Sequence, residues 1–243
     1  MLQKKELPYL NKLRIIKHFE LDLNAFLKLI MGRTYPKFEK AHDLQHPKSY
    51  GAVKGKCAHE ALTSVQLLAM EQSRLSNSPM IIALKDATGC FDLIRPELIQ
   101  LIQNSKGVPP ETTAAKTTIQ QNMKKFVQTG NGRSAHPVQR TLENNLGGIG
   151  QGSGEGPQAC NDQMGLLKSI HQKHSPGYTS THPDGVQSIT VHSPGFIDNQ
   201  LDLISLPTNV LALHLIHTTS ILQSWQDLLN TTGIDLSQDK CSF

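Results

Sequence analysis

The sequence predicts an α+β fold. Two observations support this class: apolar residues recur at helical spacing in several long blocks, whereas a short apolar run at 80–87 and an alternating segment at 186–193 are typical of strands. In the predicted order of strand, helices, strands, helix and strand, strands do not alternate regularly with helices. That order indicates α+β rather than a doubly wound parallel sheet.

The first predicted elements are helical. Residues 11–31 carry seven apolar side chains at helical spacing, and residues 58–75 show a weaker pattern of the same kind. The run MIIALKDA at 80–87 is apolar and ends in a charge, which predicts a buried strand whose carboxyl end opens onto a site. A helix is predicted to begin near Pro96, because proline suits a first helical turn.

Further helices are predicted after Pro110 and from Pro157 to about Lys173. The first should end before Gly130. It should carry four apolar residues on one face, namely Ile119, Met123, Phe126 and Val127. The second should turn Met164, Leu167 and Ile170 inward. The segment VQSITVHS, preceded by PDG and followed by SPGFIDNQLDLIS, predicts a hairpin. A last helix should run from about 208 to 231, present seven apolar residues and end at Gly233; they are Leu213, Ile216, Ile221, Leu222, Trp225, Leu228 and Leu229.

Composition bounds the class of protein. The chain has 243 residues, 37% of them apolar, and a net charge of +4. Residues 1–60 hold 12 Lys and Arg against 6 Asp and Glu, which suits either a phosphate-binding lobe or a solvated basic surface. We expect no signal peptide, no transmembrane segment and a cytoplasmic or nuclear location. The four cysteines form no C-x-x-C pair and are expected to be reduced thiols.

Three segments carry candidate chemistry. Asp86 ends the predicted strand and Phe91 follows five positions later; taken alone, this is equally a turn acid and a core aromatic. GGIGQGSGEGPQACN at 147–161 is a flexible run that lets backbone approach a ligand, or a surface loop. Asp198 lies in an apolar segment, so it should have a cation or donor partner. Asp202, roughly 13 Å farther along a strand, is interpreted as structural or solvated.

Taken in order, these segments resemble the sequential motifs of reverse transcriptases. Asp86 and Phe91 match the first palm motif; Gln151, Gly152 and Pro157 match the Q-G-x-x-x-x-P signature; FIDN at 196–199 looks like the aromatic-x-Asp-Asp turn. YGAVKGKCAHEAL at 50–62 is similar to a fingers segment, and 222–243 to the helix-turn-strand that carries a lysine. The resemblance covers 50–243 and is closest to retrotransposon enzymes.

The resemblance implies an antiparallel, ferredoxin-like palm with packed helices and a partial, mostly helical fingers region. Residues 1–79 would be fingers and 80–243 palm, with inserted helices at about 96–130. The thumb would be absent, so the chain resembles a fragment whose thumb or other retroelement domains are missing.

The resemblance also implies site residues. Asp86 and Asp198 would bind Mg²⁺ or Mn²⁺ for two-metal transfer of deoxynucleotides to a primer on an RNA or DNA template. Phe91 matches the steric gate against ribonucleotides. Substrate contacts would come from Gln151 and Gly152, from Lys54 and Lys56 in the fingers, and from Lys240, which matches a lysine beside the pyrophosphate leaving group.

Departures from the motifs keep alternatives open. Asn199 stands among the catalytic residues where an aspartate is expected, which removes one negative charge from the metal site. The chain could therefore be an inactive remnant that at most binds nucleic acid. An RNA-directed RNA polymerase conflicts with Phe91. His171 and His174 have a spacing that can bind metal, but a solvated helix end is the favoured interpretation.

Overall fold

The computed structural model describes residues 2–3, 13–14, 17–75, 79–138, 148–175, 177–182, 184–206 and 210–242. They form two compact units. The first unit comprises Met1–His42 and Phe91–Ala159, and the second comprises Asp43–Cys90 and Cys160–Phe243. The fingers and palm boundaries stay a prediction.

The secondary structure mixes helices with short antiparallel strands, which confirms the α+β class. The helices are α1 (Leu21–Leu29), α2 (Tyr35–Ala41), α3 (Ala58–Leu75), α4 (Cys90–Leu93), α5 (Pro96–Ser105), α6 (Pro110–Asn122), α7 (Gly156–His171) and α8 (Leu211–Thr231), with a π-helical segment at Ile30–Thr34 and a 3-10 turn at Gln238–Lys240. The strands are β1 (Leu2–Gln3), β2 (Leu13–Arg14), β3 (Met80–Thr88), β4 (Gln128–Thr129), β5 (Gly132–Arg133), β6 (Tyr178–Thr181), β7 (Ser188–Val191), β8 (Gly195–Phe196), β9 (Asn199–Ser205) and β10 (Asp235–Leu236).

In the first unit, α1, the π-helical segment and α2 follow one another without a break. Leu27, Met31 and Tyr35 recur every four residues and are buried on one face. The predicted start near residue 11 is wrong, because residues 13–14 pair with residues 2–3 as β2 and β1. This strand pairing uses the backbone hydrogen-bonding groups of residues 13–14, which therefore do not join a helix. Residues 11, 12, 15 and 16 of the predicted helix lie outside the described residues.

The helix after Pro110 is shorter than predicted. Met123 has extended backbone angles, and α6 ends at Asn122. Phe126 and Val127, predicted on its apolar face, belong instead to a ribbon in which Lys125 pairs with Val138 and β4 pairs with β5. Both side chains are exposed, so burial of an apolar face does not stabilise a helix at these positions. The cross-strand hydrogen bonds of the ribbon form instead.

In the second unit, a four-stranded antiparallel sheet has the order β10-β3-β9-β8. Strand β3, predicted at 80–87, is confirmed as its longest strand, and β9 pairs with it from Met80 opposite Ser205 to Asp86 opposite Asn199. Side chains alternate between the two faces along each strand. Lys85 and Asp86 therefore point to opposite sides of the same sheet.

Each face of this sheet has its own cover. On one face, Ile82 and Leu203 pack with Val65 of α3 and with residues of the β6 and β7 hairpin. On the other face, Ala83 and Ile204 pack with Ile221 of α8. The first face opens toward the carboxyl end of β3, where Leu84 is 44% exposed. Leu84 and Asn199 are thus exposed toward this end of the sheet, while Asp86 between them is 7% exposed.

Helix α8 forms where it was predicted, and Gly233 at its end has a φ of +81°. The predicted buried face is correct only in its second half, where Ile221, Trp225 and Leu229 are buried. Continuing that face back from Ile221 by three and seven residues reaches Thr218 and His214, which are also buried. Leu213 and Ile216 are exposed because they lie off this face.

The predicted hairpin region contains two hairpins. Strand β7, inside the segment VQSITVHS, pairs with β6 on its amino-terminal side rather than with the segment that follows. The following segment forms its own hairpin, β8 to β9, across Ile197 and Asp198. No helix in the described part of the chain is long and apolar enough to cross a membrane.

Candidate active site

The candidate site lies at the carboxyl end of β3. Asp86 is directly opposite Asn199 in the β3 and β9 ladder, so their side chains share one face. Asp198 is the second residue of the two-residue turn between β8 and β9, and its carboxylate accepts a 3.3 Å hydrogen bond from the Asn199 amide. Asp86 thus meets Asp198 and Asn199, two neighbouring residues that lie far from it in sequence, at one end of the sheet.

The turn that presents Asp198 is strained. Ile197 has a φ of +57°, a conformation that costs a β-branched residue about 1–3 kcal/mol. A tight approach holds it there: a Cβ added at Gly51 would lie 2.4 Å from Ile197 Cγ1 and 2.6 Å from its backbone nitrogen. Glycine at position 51 is therefore a packing requirement of the turn.

A short strap at residues 48–51 holds the hairpin from the side. Gly195 N donates to Lys48 O at 3.0 Å, and Tyr50 N donates to Gly195 O at 2.9 Å. Helix α7 secures the strap, because Asn161 Nδ2 donates to Gly51 O at 2.7 Å. Lys168 Nζ adds a 3.3 Å bond to the side chain of Ser49, which belongs to the same strap. The position of Asp198 thus depends on α7 through backbone contacts.

Lys168 is an unusual group to find in that position. It is 1% exposed and forms no ion pair among the described residues; its bonds go to Lys48 O and Ser49 Oγ. Burial lowers the pKa of Lys168 to about 7, with nearby Lys85 and Lys56 acting in the same direction. Because this amine can be neutral near physiological pH, it can bond to the strap without the free-energy cost of burying a positive charge.

Lys240 completes the cluster. The chain after β10 lies along β3, with Ser237 N bonded to Asp86 O at 2.8 Å and Leu84 N to Ser242 O at 2.7 Å. Between these bonds the 3-10 turn bulges, and the Lys240 ammonium donates to the Asp86 carboxylate. This hydrogen bond raises the pKa of Lys240, with further support from the charges of Asp86 and Asp198. Lys240 is therefore a cation at neutral pH.

The donor set suits a hard cation only in part. Carboxylates of Asp86 and Asp198 and the amide oxygen of Asn199 are oxygen ligands, and Mg²⁺ in proteins is commonly held by one or two carboxylates plus substrate phosphates. No group of three or more His, Cys, Asp or Glu that could hold a metal occurs within the described ranges. Cation binding at Asp86 would also require Lys240 to move, which its 60% exposed side chain allows. Within the described residues the cluster therefore offers two carboxylates and one amide oxygen, with Lys240 bound to one of the carboxylates.

The two predicted fingers lysines lie in the same unit as this cluster. Lys54 is exposed. Lys56 donates to Pro47 O at 2.6 Å and lies 5.3 Å from the centroid of the Tyr50 ring. Burial lowers the pKa of Lys56, and the charge of Lys48 lowers it further. Lys54 is thus open to a ligand, whereas Lys56 is partly engaged by its own loop.

Phe91, Gln151 and Gly152 belong to the first unit. Phe91 O accepts a 2.7 Å bond from Gly150 N, and Gln151 O accepts a 2.8 Å bond from Lys17 N. Gly152 is exposed and has a φ of +105°, which favours glycine. The structure therefore places Phe91 beside the glycine run that carries Gln151.

The close approaches within this run are to the chain itself. A Cβ at Gly148 would lie 1.8 Å from Asp92 O, and one at Gly154 would lie 2.8 Å from Lys28. Glu155 is fully buried and bonded to Lys116 at 2.9 Å. These contacts make the run an ordered loop, with Gly152 as its exposed point.

Asp202 is neither solvated nor part of the Asp86 cluster. It is 1% exposed and pairs with Lys85 at 2.5 Å and with His171 at 3.2 Å, while Ser193 donates to its other oxygen. Burial alone would raise the pKa of Asp202, but Lys85 and His171 hold it well below its usual range. The Lys85 ammonium also lies 4.2 Å from the Trp225 ring centroid. The structural interpretation of Asp202 is the correct one.

The interpretation of His171 as a solvated helix end is wrong. Its side chain is fully buried because the last turn of α7 packs against Asp202 and the edge of Trp225. Two thiols are also brought together: Cys90 Sγ and Cys160 Sγ lie 3.0 Å apart. The contact with Cys90, followed by burial, raises the pKa of Cys160. Neither contact could be inferred from sequence spacing.

Some residues that shape the site have no local signal in the sequence. Ile197 is a residue type that avoids positive φ, so nothing predicts its strain. Asn161 and Lys168 read as ordinary polar positions of a helix. Gly51 lies in the segment at 50–62 that resembles a fingers segment. A glycine there is the one local indication of a close approach.

Comparison with known proteins shows the fold. Neither a family model nor a curated protein matches this sequence. Solved structures do match: apo telomerase from Candida tropicalis truncated from its C-terminal domain has a TM-score of 0.57 at 10% identity, covering 90% of this chain and 40% of that chain.

Two further telomerase structures agree. The Candida tropicalis enzyme in complex with a TWJ fragment of telomeric RNA gives a TM-score of 0.57 at 9% identity, over 92% of this chain and 33% of that one. The Candida albicans complex gives 0.55 at 10% identity, over 90% and 34%. The chain thus spans about a third to two fifths of these proteins. Telomerase is related to reverse transcriptases, and the chain has a reverse transcriptase-like fold.

Proposed function

We propose that this chain is the palm-containing part of a reverse transcriptase that adds deoxynucleotides to a primer on an RNA or DNA template. The observation that carries the proposal is the meeting of Asp86, Asn199 and Asp198 at the open end of an antiparallel sheet. Asp86 comes from one segment and the neighbouring Asp198 and Asn199 from another far along the chain, so oxygen ligands from two distant segments converge there.

Each residue has a role in this proposal. Asp86 and Asp198 would hold Mg²⁺ or Mn²⁺, which supplies charge neutralisation at the transferring phosphate and a more acidic primer hydroxyl. Asn199 would offer a neutral oxygen beside them. Lys240 is protonated at neutral pH and would move from Asp86 to the leaving pyrophosphate, where its ammonium can donate a proton.

The substrate contacts follow the sequence motifs. Phe91 would lie under the sugar of the incoming nucleotide and exclude a 2′-hydroxyl, which favours deoxynucleotides over ribonucleotides. Gln151 and the exposed Gly152 would contact template and nucleotide. Lys54, together with Lys56 once released from Pro47 O, would neutralise phosphates of the triphosphate or template.

Primer extension tests this function. The assay offers RNA and DNA templates, deoxynucleotides or ribonucleotides, and Mg²⁺ or Mn²⁺ to the chain and to its Asn199→Asp variant. We expect deoxynucleotide incorporation, increased by Asn199→Asp and abolished by Asp86→Ala. A lack of incorporation by both proteins would overturn the proposal, and ribonucleotide preference would favour an RNA polymerase.

An inactive remnant that binds nucleic acid is the second candidate. Asn199 and the Lys240 ion pair favour it, because both reduce the negative charge available to a divalent cation. Under this alternative, salt-sensitive binding of RNA or DNA should persist in Asp86→Ala. Catalysis by the Asn199→Asp protein but not by the unmodified chain would indicate decay by this one substitution.

We further propose that the chain derives from a retrotransposon-type element. The motif order from Asp86 through Gln151 to Asp198, with Q-G-S-G at 151–154, supports this origin. Thumb and other retroelement domains would then complete the enzyme. Sequencing the flanking DNA tests this origin: continuation into thumb or endonuclease sequence is expected, and unrelated sequence on both sides would contradict it.

A further inference from the structure

The first unit carries an exposed ribbon that the proposed catalytic site does not use. Strands β4 and β5 pair from Gln128 opposite Arg133 to Thr129 opposite Gly132. The pairing extends outward, since Lys125 and Val138 exchange backbone hydrogen bonds of 3.0 and 2.6 Å. Every residue from 126 to 133 is exposed. We call residues 124–138 the basic ribbon.

The basic ribbon is positive without acidic neighbours in sequence. No Asp or Glu occurs between positions 112 and 142, whereas Lys124, Lys125 and Arg133 lie within the ribbon. Lys116, earlier in the same acid-free segment, is buried against Glu155 and does not contribute to the surface. Most protein surfaces mix both signs, so a segment of one sign indicates a partner of the opposite sign.

Aromatic and cationic groups are stacked on this ribbon. The Arg133 guanidinium carbon lies 3.7 Å from the centroid of the Phe126 ring, a cation–π contact. Phe126 is 37% exposed, and neighbouring Val127 and Val138 are 43% and 38% exposed. The stack holds a flat cation and a ring together at the surface instead of in the core.

Single-stranded nucleic acid has the chemistry that fits both features. Its phosphates pair with lysine and arginine, and its unpaired bases stack on aromatic rings or guanidinium planes. Duplex DNA would use the charges but conceal its base faces. An anionic lipid surface would also use the charges, but it has no flat group for the stacked Arg133 and Phe126.

We propose that the basic ribbon binds single-stranded RNA or DNA, with Phe126 and Arg133 stacking a base and Lys124 and Lys125 contacting phosphates. This goes beyond the proposed polymerase function, because the binding needs neither a metal nor a nucleotide substrate. The ribbon would hold a strand independently of the chemistry at Asp86.

Fluorescence anisotropy with EDTA present tests the ribbon. The probes are a labelled oligo(U) and an oligo(dT) of about 20 nucleotides, a duplex of the same length, and vesicles of phosphatidylserine and phosphatidylcholine. We expect Phe126→Leu to weaken single-strand binding roughly tenfold, since stacking on an aromatic contributes that order, and to leave duplex binding unchanged. Arg133→Gln should weaken single-strand binding more than Phe126→Leu does, and it should also weaken duplex binding because it removes a charge.

A charge-matched control separates the ribbon from general basicity. The triple variant Lys124→Gln, Lys125→Gln, Arg133→Gln should reduce the salt slope by about 1.4, because its two lysines contact phosphates at about 0.7 per contact of a single strand. The control replaces three exposed cations of the same unit with glutamine, namely Arg33, Lys37 and Lys40. It should change the slope less.

Several outcomes would overturn the inference. These are an unchanged affinity in Phe126→Leu, an equal loss in the control triple, or vesicle binding with the same dependence on Phe126. Circular dichroism of each variant checks that the chain is folded. Failure of primer extension with intact single-strand binding would reject only the polymerase proposal, and the reverse result would reject only the ribbon.

Discussion

The two faces of the β3 and β9 pair hold their carboxylates in opposite ways. Asp202 is 1% exposed and surrounded by Lys85, His171 and Ser193. Asp86, on the opposite face, is 7% exposed, and among the described residues its carboxylate is paired with Lys240, whose 60% exposed side chain extends from a short turn. Each carboxylate forms an ion pair with a lysine, but only Lys240 is exposed enough to move away from its partner.

This difference separates an acid whose partner is buried from one whose partner is exposed. A buried pair is held by the cost of leaving either charge without its partner. The Asp86–Lys240 pair differs, because Lys240 is 60% exposed and can move into water, although Asp86 itself is only 7% exposed. Asp86 can therefore offer its oxygens to a ligand at little cost, whereas Asp202 cannot. The variants below test this contrast, beginning with the one expected to have the largest effect.

Breaking the buried pair should cost the most. Asp202→Ala leaves Lys85 buried without its carboxylate, and we expect the free energy of unfolding to fall by about 3–5 kcal/mol. Urea denaturation followed by circular dichroism measures this. Asp86→Ala is the matched control, and we expect a smaller loss there because the exposed Lys240 can be solvated once its partner is removed. An equal loss in the two variants would contradict the contrast.

The next effect concerns the support of the open end. Gly51→Ala places a methyl group against Ile197, so the turn must shift, and we expect a loss of about 1–3 kcal/mol. The same unfolding measurement applies. Gly130→Ala, where a Cβ meets nothing within 4 Å, should change stability by no more than about 0.5 kcal/mol. Equal effects at the two glycines would show that position 51 does not hold the turn.

The charge of the open end can be restored. Asn199→Asp adds a carboxylate opposite Asp86, and we expect Mn²⁺ to bind roughly tenfold more tightly, about 1.4 kcal/mol. Isothermal titration calorimetry measures the affinity. Asp202→Asn should leave the affinity unchanged if it folds, while equal Mn²⁺ binding by the unmodified chain and Asn199→Asp would argue against a cation at Asp86.

The smallest effect at neutral pH is expected from Lys168→Met. The pKa of Lys168 is about 7 in the fold against an ordinary value of 10.5. Between these values the unfolded chain binds more protons, so stability should rise as pH increases from about 7 toward about 10.5. Denaturation at several pH values should show a smaller rise of stability with pH in the variant. The rise that remains would come from Lys85, whose pKa burial also lowers.

A control keeps this pH dependence specific. Lys37 is exposed, and Lys37→Met should leave the rise of stability with pH as it is in the unmodified chain. A parallel pH profile for Lys168→Met and the unmodified chain would mean that the buried amine does not titrate in this range.

Much of the fold follows from local patterns in the sequence. Helices α3, α5 and α7 and strand β3 were all predicted, because each carries its own periodicity or a proline at its start. Asp86 and Asp198 could be singled out because each is a charge within an apolar segment. Such signals need only a few neighbouring residues.

The tertiary structure alone decided the rest, because it depends on partners far away in the chain. Residues 125–138 form a ribbon rather than a helix end through cross-strand bonds, and only the fold showed that Asp202 is enclosed by Lys85 and His171 while Asp86 meets Lys240. A carboxylate's role depends on how deeply it is buried and whether its partner can move. Those properties arise from packing, which no short segment of sequence contains.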